Sequence, residues 1–378
     1  MPHLLIDSVH AACAPHVLPR GWLAGFDLSV YAPGDPAQVL AGPADLGSAD
    51  ALMLRSVTRV TAAQVAQARR LSAVATCSSG TDHIDLSALS QAGISAFSGR
   101  GGNAIAVAEW VAWALARQWR CDLRAPAPWR GRRIIVVGVG AVGGCVSALA
   151  AQLGATVVKV DPPRATRDPA FAADPTQMTL TRALAEPCDA LTLHVPLVPD
   201  GAYPTVGLIG AAELGRLAGA CVLNAARGGV LDEPTAAAAR RAGALSGLWC
   251  DTFLNEPRPD PSFVDACDGA TPHIAGHSIA GKLKVAWLPM MALRAHFDLP
   301  AALDLAAAVT AARGDEAPFD HVLDGTSAAM AGLAGADFRP LRAAHRRQEG
   351  GLLTGGAASA ALLEAGCPRL LAVASKSL

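Results

Sequence analysis

Aromatic residues are scarce in this chain: Phe, Trp and Tyr together make up 4% of its 378 residues. Any core must therefore be built mainly from Ala, Val and Leu, and a hydrophobic content of 52% supplies ample material. Charge is scarce too, at 17% with a formal net of −1. Without a long basic run there is no electrostatic case for nucleic acid or an anionic membrane as partner. Low charge with high apolar content also argues against disorder. The nine cysteines, at 13, 77, 121, 145, 188, 221, 250, 267 and 367, include no C-x-x-C. That scatter fits free thiols in a reducing cytoplasm, not a disulfide framework, and no ligand cluster has the spacing of a metal site. The start, Met1-Pro-His-Leu-Leu-Ile-Asp7, meets an acid without a basic n-region, so a signal peptide is not expected.

What the chain does have is glycine in one telling place. The apolar run from Ile134 ends in Gly138-Val-Gly140-Ala141-Val142-Gly143, a G-x-G-x-x-G that suits a strand turning tightly into a helix. The first glycine allows the turn, the second lets backbone approach a pyrophosphate, and the third lets helix pack on strand. Helix-start amides then point their positive end at phosphate oxygens. Alone this motif is weak, but its neighbourhood strengthens it. Residues 145–153 read as a helix closed by Gly154, and Thr156–Val160 reads as a second strand ending at Asp161. That carboxylate, 18 residues past Gly143, stands about where one meets the adenosine ribose hydroxyls of NAD. The uncharged stretch from Ile134 to Val158 is long enough to span a bilayer. Its four glycines within seven residues and its strand–turn–helix rhythm point instead to a buried parallel sheet.

The first hundred residues alternate short apolar runs with helical or loop segments. Candidate strands are His3–Asp7, Leu28–Ala32, Ala51–Arg55, Ala73–Thr76 and Ile94–Phe97, with helices at 61–71 and 85–92. That rhythm predicts a mostly parallel sheet covered on both faces. Arg55-Ser56-Val57-Thr58 and Cys77-Ser78-Ser79-Gly80 follow two of these strands, where ligands bind in open α/β sheets. Ordinary turn and capping chemistry would use the same residue types. Asn103 can cap a long helix from Ala104 to Trp119, and a proline-rich stretch, Ala125–Gly131, leads into the glycine loop. Later strands are expected at Ala190–His194, Ala220–Asn224, Leu248–Asp251 and Gly269–Thr271, with helices at 176–186, 207–217, 233–242 and 279–297.

Three segments following those later strands carry chemistry: Asn224-Ala-Ala-Arg227, Asp251-Thr-Phe-Leu-Asn-Glu256 and Thr271-Pro-His273-Ile-Ala-Gly276-His277. They bring one arginine, one glutamate and one histidine to a single edge of a nucleotide-binding sheet. Hydride transfer from a 2-hydroxy acid needs these types. Histidine suits a base working near neutrality. A carboxylate on its other ring nitrogen fixes the tautomer, and the planar donors of arginine suit the substrate carboxylate. Singly, each has an ordinary alternative: His273 a satisfied loop histidine, Glu256 a solvated acid, Arg227 a helix-end charge. Their order behind a dinucleotide fingerprint favours the chemistry.

With these residues the chain resembles the D-isomer-specific 2-hydroxyacid dehydrogenase family. The likeness is carried by Leu52-Met-Leu-Arg-Ser-Val-Thr58, Gly80-Thr-Asp-His-Ile-Asp85, Gly102-Asn-Ala-Ile-Ala-Val107 with Glu109, Asp161-Pro-Pro-Arg-Ala165, and His273-Ile-Ala-Gly276 with Gly281-Lys282. It covers residues 1 to about 297 well and continues weakly to the end. The resemblance implies an α/β fold of two Rossmann/flavodoxin-like, doubly wound parallel-sheet domains plus a small α+β C-terminal dimerisation domain. The expected boundaries are a substrate domain at 1–102 completed by 278–297, an NAD-binding domain at 103–277, and the dimerisation domain at 298–378. It further implies Arg227, Glu256 and His273 as catalytic, with NAD held at Gly138, Gly140, Ala141, Val142, Gly143, Asp161, Asp251 and Gly276. Substrate, a small phosphorylated hydroxy acid, would meet Ser56 and Ser78. A cytoplasmic homodimer is expected, with Arg346 or Arg347 reaching a substrate phosphate. Sibling activities on phosphoglycerate or glyoxylate/hydroxypyruvate, or an NAD-sensing scaffold, remain the alternatives.

Three positions depart from the family pattern. Its substrate-binding tyrosine after H-I-A-G is His277 here, where a protonated imidazole would hold phosphate with a grip that weakens as pH rises. Thr-Ala-Gly is replaced by Ser78-Ser79-Gly80, which keeps a hydroxyl. Asp7-Ser-Val-His10 replaces a more acidic start.

Overall fold

The computed structural model describes residues 1–12, 18–32, 46–300, 303–312, 330 and 336–339. The expected C-terminal domain, with Arg346 and Arg347, lies largely outside the described residues. The chain divides into two units, each built on its own parallel sheet. No helix among the described residues is long and apolar enough to cross a membrane.

The first unit combines Met1–Asn103 with the stretch beginning at Ser278. Its strands are β1 (His3–Asp7), β2 (Asp27–Tyr31), β3 (Ala51–Leu54), β4 (Ala73–Thr76) and β5 (Ser95–Ser98). They lie in the order β2-β1-β3-β4-β5, every neighbouring pair parallel. All residues of β3 and β4 are buried, as sheets covered on both faces require, so these strands read as unbroken apolar runs. The helix Ile279–His296 packs on β4 and β5. It starts where Ser278 Oγ accepts from Gly281 N at 2.8 Å. Its approach is close: a Cβ on Gly99 would stand 2.3 Å from the Val285 carbonyl oxygen, and one on Gly102 2.7 Å from Val285 N. The sheet reverses direction between β1 and β3, which opens a crevice at their carboxyl ends. There Arg55 Nε pairs with the buried Asp7 at 2.9 Å.

The second unit is formed mainly by Ala104–His277. Its strands, β6 (Arg133–Val137), β7 (Thr156–Val160), β8 (Ala190–Leu193), β9 (Cys221–Asn224), β10 (Gly247–Cys250) and β11 (Gly269–Ala270), lie in the order β11-β10-β9-β8-β6-β7. A single parallel bridge, Lys159 to Gln177, adds a vestigial strand beyond β7. With it the sheet runs third-second-first-fourth-fifth-sixth-seventh, the dinucleotide-binding order with β11 added at the edge, and its switch point lies between β6 and β8. The helices Ala104–Trp119 and Ala141–Gln152 pack together over one face, alanine and glycine letting them approach. Trp110, Trp113, Trp119, Trp129 and Trp249, five of only seven tryptophans, gather in this core.

Several expected helices differ in extent. The segment 61–71 is helical only at Ala62–Val65, because the chain must turn so that Leu71 can be buried ahead of β4. Residues 176–178 flank Lys159 through hydrogen bonds of 2.7 and 2.8 Å, which leaves helix only at Leu180–Ala183. Within 207–217, Ile209 bridges Leu231 and the helix shrinks to Ala211–Leu214. Conversely, the helix expected at 145–153 begins at Ala141, so Ala141–Gly143 form its first turn. Short helices at Pro162–Arg167, Pro169–Ala172 and Pro261–Ala266 were not expected. Each follows an aspartate whose side chain accepts a backbone N–H, with proline at the first helical position.

Candidate active site

β6 ends at Val137 and the chain reverses through Gly138, whose φ of +84° is open to glycine at little cost. A Cβ there would stand 2.6 Å from the His194 carbonyl oxygen at the end of β8. At Gly143 it would stand 1.9 Å from the Gly138 carbonyl oxygen, so this third glycine is what lets the helix close on the loop. Gly140 differs: nothing lies within 4 Å of a Cβ placed on it. That open face, at the start of a 12-residue helix, is the cradle a pyrophosphate needs, and the loop fits NAD.

Asp161 closes the loop from β7. Its Oδ2 accepts from Val139 N at 2.8 Å and its Oδ1 from Arg164 N at 2.9 Å, capping the helix Pro162–Arg167. Each oxygen keeps a second lone pair. Arg164 is drawn to the same loop: it donates to the Val139 carbonyl at 2.7 Å, reaches Asp168 at 3.4 Å, and lies 4.2 Å over the Phe171 ring. Its guanidinium is thus already engaged.

The carboxyl ends of β9, β10 and β11 carry Arg227, Glu256 and His273 in turn. Asn224, the last residue of β9, shapes the first loop by accepting from Ala226 N and donating to the Arg227 carbonyl, both at 3.0 Å. Arg227 donates to the Ala226 carbonyl at 2.7 Å. The next residue, Gly228, presses on the segment after β10: a Cβ on it would stand 1.9 Å from the Phe253 carbonyl oxygen. In that segment Glu256 divides its two oxygens. Oε1 accepts from Phe253 N at 3.0 Å, and Oε2 pairs with His273 Nδ1 at 2.8 Å. The bond leaves Nε2 as the ring nitrogen turned from the carboxylate, and both side chains remain part-exposed.

His273 sits at φ +56°, a left-handed conformation unusual for a side-chain-bearing residue, so its segment must be held. Asp251 holds it. This carboxylate, 1% exposed, accepts from Ile274 N at 2.7 Å, Ala275 N at 2.9 Å and the Thr271 hydroxyl at 2.5 Å. Burial pushes its carboxyl up, opposed by the nearby His273 and these donors. Trp110 Nε1 in turn donates to Thr271 Oγ1 at 2.9 Å. A buried chain from the long helix thereby braces both sides of His273. Thr271 and Trp110 escaped the sequence reading, since a lone threonine and a core tryptophan give no signal without the fold. Gly276 and His277 end this segment, with His277 N donating to the Ile274 carbonyl at 2.8 Å.

Ser56 and Ser78 belong to the other unit, after β3 and β4 at its carboxyl edge. Ser56 is exposed, and Ser78 Oγ donates to the Gly80 carbonyl at 2.5 Å. Thr76 contacts His83 at 2.9 Å, and Ser79 donates to Asn103 at 2.7 Å, so this loop is internally tied. Among the described residues, no group of three or more His, Cys, Asp or Glu could hold a metal, and seven cysteines are free thiols.

The family model described as D-isomer specific 2-hydroxyacid dehydrogenase, NAD binding domain, matches residues 104–275. An erythronate-4-phosphate dehydrogenase of Aeromonas hydrophila is 37% identical over 283 residues, 74% of this chain and 71% of that one. Its counterpart in Salinibacter ruber is 39% identical over 241 residues, 64% of this chain and 60% of the relative. Among solved structures, the D-lactate dehydrogenase of Aquifex aeolicus complexed with NAD and lactic acid superposes with a TM-score of 0.62 at 20% identity, covering 78% of this chain and 95% of that one. The NAD-bound 3-phosphoglycerate dehydrogenase of Entamoeba histolytica gives 0.62 at 19% identity, over 79% and 96%. At such identity these two likenesses speak to the fold.

Proposed function

The chain belongs to the D-isomer-specific 2-hydroxyacid dehydrogenase family, and from that premise we propose that it oxidises 4-phospho-D-erythronate at C2. The product is 3-hydroxy-2-oxo-4-phosphobutanoate, on the route to pyridoxal 5′-phosphate. The coarser activity, NAD-dependent oxidation of a CH–OH group, follows from the family and its relatives. The finer one is supported by the relatives' names, while the His273–Glu256 pair on an NAD-binding sheet supports the oxidation of a 2-hydroxy acid.

Bound NAD supplies the hydride acceptor, and the chain's own residues do the rest. Gly138, Gly140, Ala141, Val142 and Gly143 hold the pyrophosphate with backbone amides, and Asp161 receives the ribose hydroxyls while repelling a 2′-phosphate. Asp251 serves the cofactor through the Ile274–Gly276 segment that it braces. His273 Nε2 takes the proton of the C2 hydroxyl as the C2–H pair of electrons leaves. Glu256 keeps the imidazole proton on Nδ1 and faces the imidazolium once it forms. Arg227 binds the substrate carboxylate with two parallel donors. Ser56, Ser78 and His277 complete the substrate site, and a second copy of the chain joins through the C-terminal segment.

One observation favours a different acid: His277 stands where the family has tyrosine. Phosphoglycerate or glyoxylate/hydroxypyruvate turnover is the competing reading. The deciding experiment is turnover by the purified protein of phosphoerythronate or phosphoglycerate with NAD, and of glyoxylate or hydroxypyruvate with NADH. Oxidation of phosphoerythronate in preference to the others supports the proposal, and turnover of only the others sinks it.

A further inference from the structure

The segment that carries Glu256 is gripped by a second glutamate. Glu233 opens the helix Glu233–Arg241, one residue past its N-cap Asp232, where an acid is ordinarily a solvated charge favoured by the helix dipole. Here it is 4% exposed. Its Oε1 accepts from Leu254 N at 2.5 Å, while the adjacent amide, Phe253 N, donates to Glu256 at 3.0 Å. Two consecutive amides of one turn are therefore claimed by two carboxylates, and the second of these carboxylates holds His273. Gly228, one residue beyond Arg227, fills the remaining side of that turn with backbone. The titratable groups that face Glu233 are Asp260, which caps the neighbouring helix Pro261–Ala266, Glu256 itself, and the buried Cys250 thiol at the end of β10, which burial keeps neutral. Burial, with these two like charges, pushes the Glu233 carboxyl up to about 7, while the Leu254 amide draws it back.

We propose that Glu233 is a positioning residue for proton transfer: it fixes the Phe253–Leu254 turn from behind, and its charge acts through Glu256 on His273. This rests on the reading of His273 as the base. Moving the Leu254 amide moves the Phe253 amide with it, because their two peptide planes meet at the Phe253 Cα, with only that residue's φ and ψ between them, and Glu256 follows. Ionising Glu233 sets a second negative charge behind the carboxylate that must stabilise the imidazolium. The reaction then responds to the charge at 233 as well as to its hydrogen bond.

Two substitutions separate these contributions. Glu233→Gln keeps an oxygen for Leu254 N and removes the charge, while Glu233→Ala removes both. Each full-length variant is compared with the unsubstituted protein for kcat and KM across pH, with melting temperature as a check on folding. Expected for Glu233→Gln is a kcat/KM profile that meets the unsubstituted one at low pH, where Glu233 is neutral, and falls about twofold to threefold below it above about pH 7, where Glu233 would be ionised. Expected for Glu233→Ala is a further fall in kcat of about tenfold, with KM for NAD within about twofold. A Gln profile that superimposes on the unsubstituted one overturns the proposal, even if Ala loses activity, since Glu233 would then be scaffold alone. The comparison runs with whichever 2-hydroxy acid the unsubstituted protein turns over. A failed assignment of phosphoerythronate therefore leaves it intact, whereas inactivity of the unsubstituted protein towards every acid refutes the reading of His273 as base and the proposal with it.

Discussion

Glu256→Gln is the sharpest perturbation of the site because the carboxylate's two oxygens have different donors. One takes Phe253 N at 3.0 Å and the other takes His273 Nδ1 at 2.8 Å. A glutamine has only one oxygen. If it stays with the Phe253 amide, its NH2 faces the imidazole, which must then offer Nδ1 as acceptor and carry its proton on Nε2. The lone pair needed by the substrate hydroxyl is gone in that tautomer. If the amide flips instead, the Phe253 N–H is left facing an NH2 group, and the turn shifts. Either way the loss is in the chemical step. Loss of a fixed tautomer and of imidazolium stabilisation costs about 10²–10⁴ in kcat/KM, or about 3–5 kcal/mol of barrier. The glycine loop is unaltered by this change, so the Kd for NADH, read by fluorescence titration, stays within about twofold of the unsubstituted value. Steady-state kinetics with NAD and the hydroxy acid provide the assay. A Glu256→Gln protein with kcat/KM within about threefold of the unsubstituted one would refute the tautomer argument.

Gly143→Ala places a methyl 1.9 Å from the Gly138 carbonyl and is expected to cost about 2–4 kcal/mol of stability along with cofactor binding, by thermal melting and NADH titration. Gly140→Ala meets no protein atom and should fold with near-unchanged melting temperature yet bind NADH at least about tenfold more weakly, because its methyl occupies the pyrophosphate face; equal affinity would contradict the cradle. Asp161→Ala removes acceptors for Val139 N and Arg164 N and is expected to lower stability by about 1–2 kcal/mol and to narrow the preference for NAD over NADP, measured as a ratio of kcat/KM values. Glu233, raised in the fold from 4.5 to about 7, is protonated in both states at low pH and penalises the ionised fold as pH rises between those values. Glu233→Gln should therefore gain up to about 3 kcal/mol relative to the unsubstituted protein at about pH 8 and lose that gain towards about pH 4.5. A stability difference that stays constant with pH would contradict it.

The elements best legible in the sequence were those whose pattern has one physical solution. Ala73–Thr76 and Thr156–Val160, short and rich in Val and Thr, are strands at the expected bounds, and the glycine spacing at 138–143, set between two such strands, is the expected tight strand-to-helix turn. Boundaries failed where tertiary demands overrode propensity: Thr176–Met178 pair with Lys159 although their surroundings favour helix. The unexpected helices at Pro162, Pro169 and Pro261 did carry a local signal, an aspartate followed by proline. In the site, the types and order of Arg227, Glu256 and His273 were readable. The brace beneath them was not. Asp251 read as a cofactor contact, yet its fully buried oxygens hold Thr271, Ile274 and Ala275, a role that depends on strands β10 and β11 being neighbours. Glu233 carries no signal in the sequence, because its burial depends on the turn that covers it.

The proposed oxidation is decided by incubating the purified protein with NAD and 4-phospho-D-erythronate, following NADH and identifying the product by mass. The expected product is 3-hydroxy-2-oxo-4-phosphobutanoate, formed with kcat/KM at least about tenfold above that for 3-phospho-D-glycerate or glycerate. Turnover of either of those acids with no reaction of phosphoerythronate would contradict it.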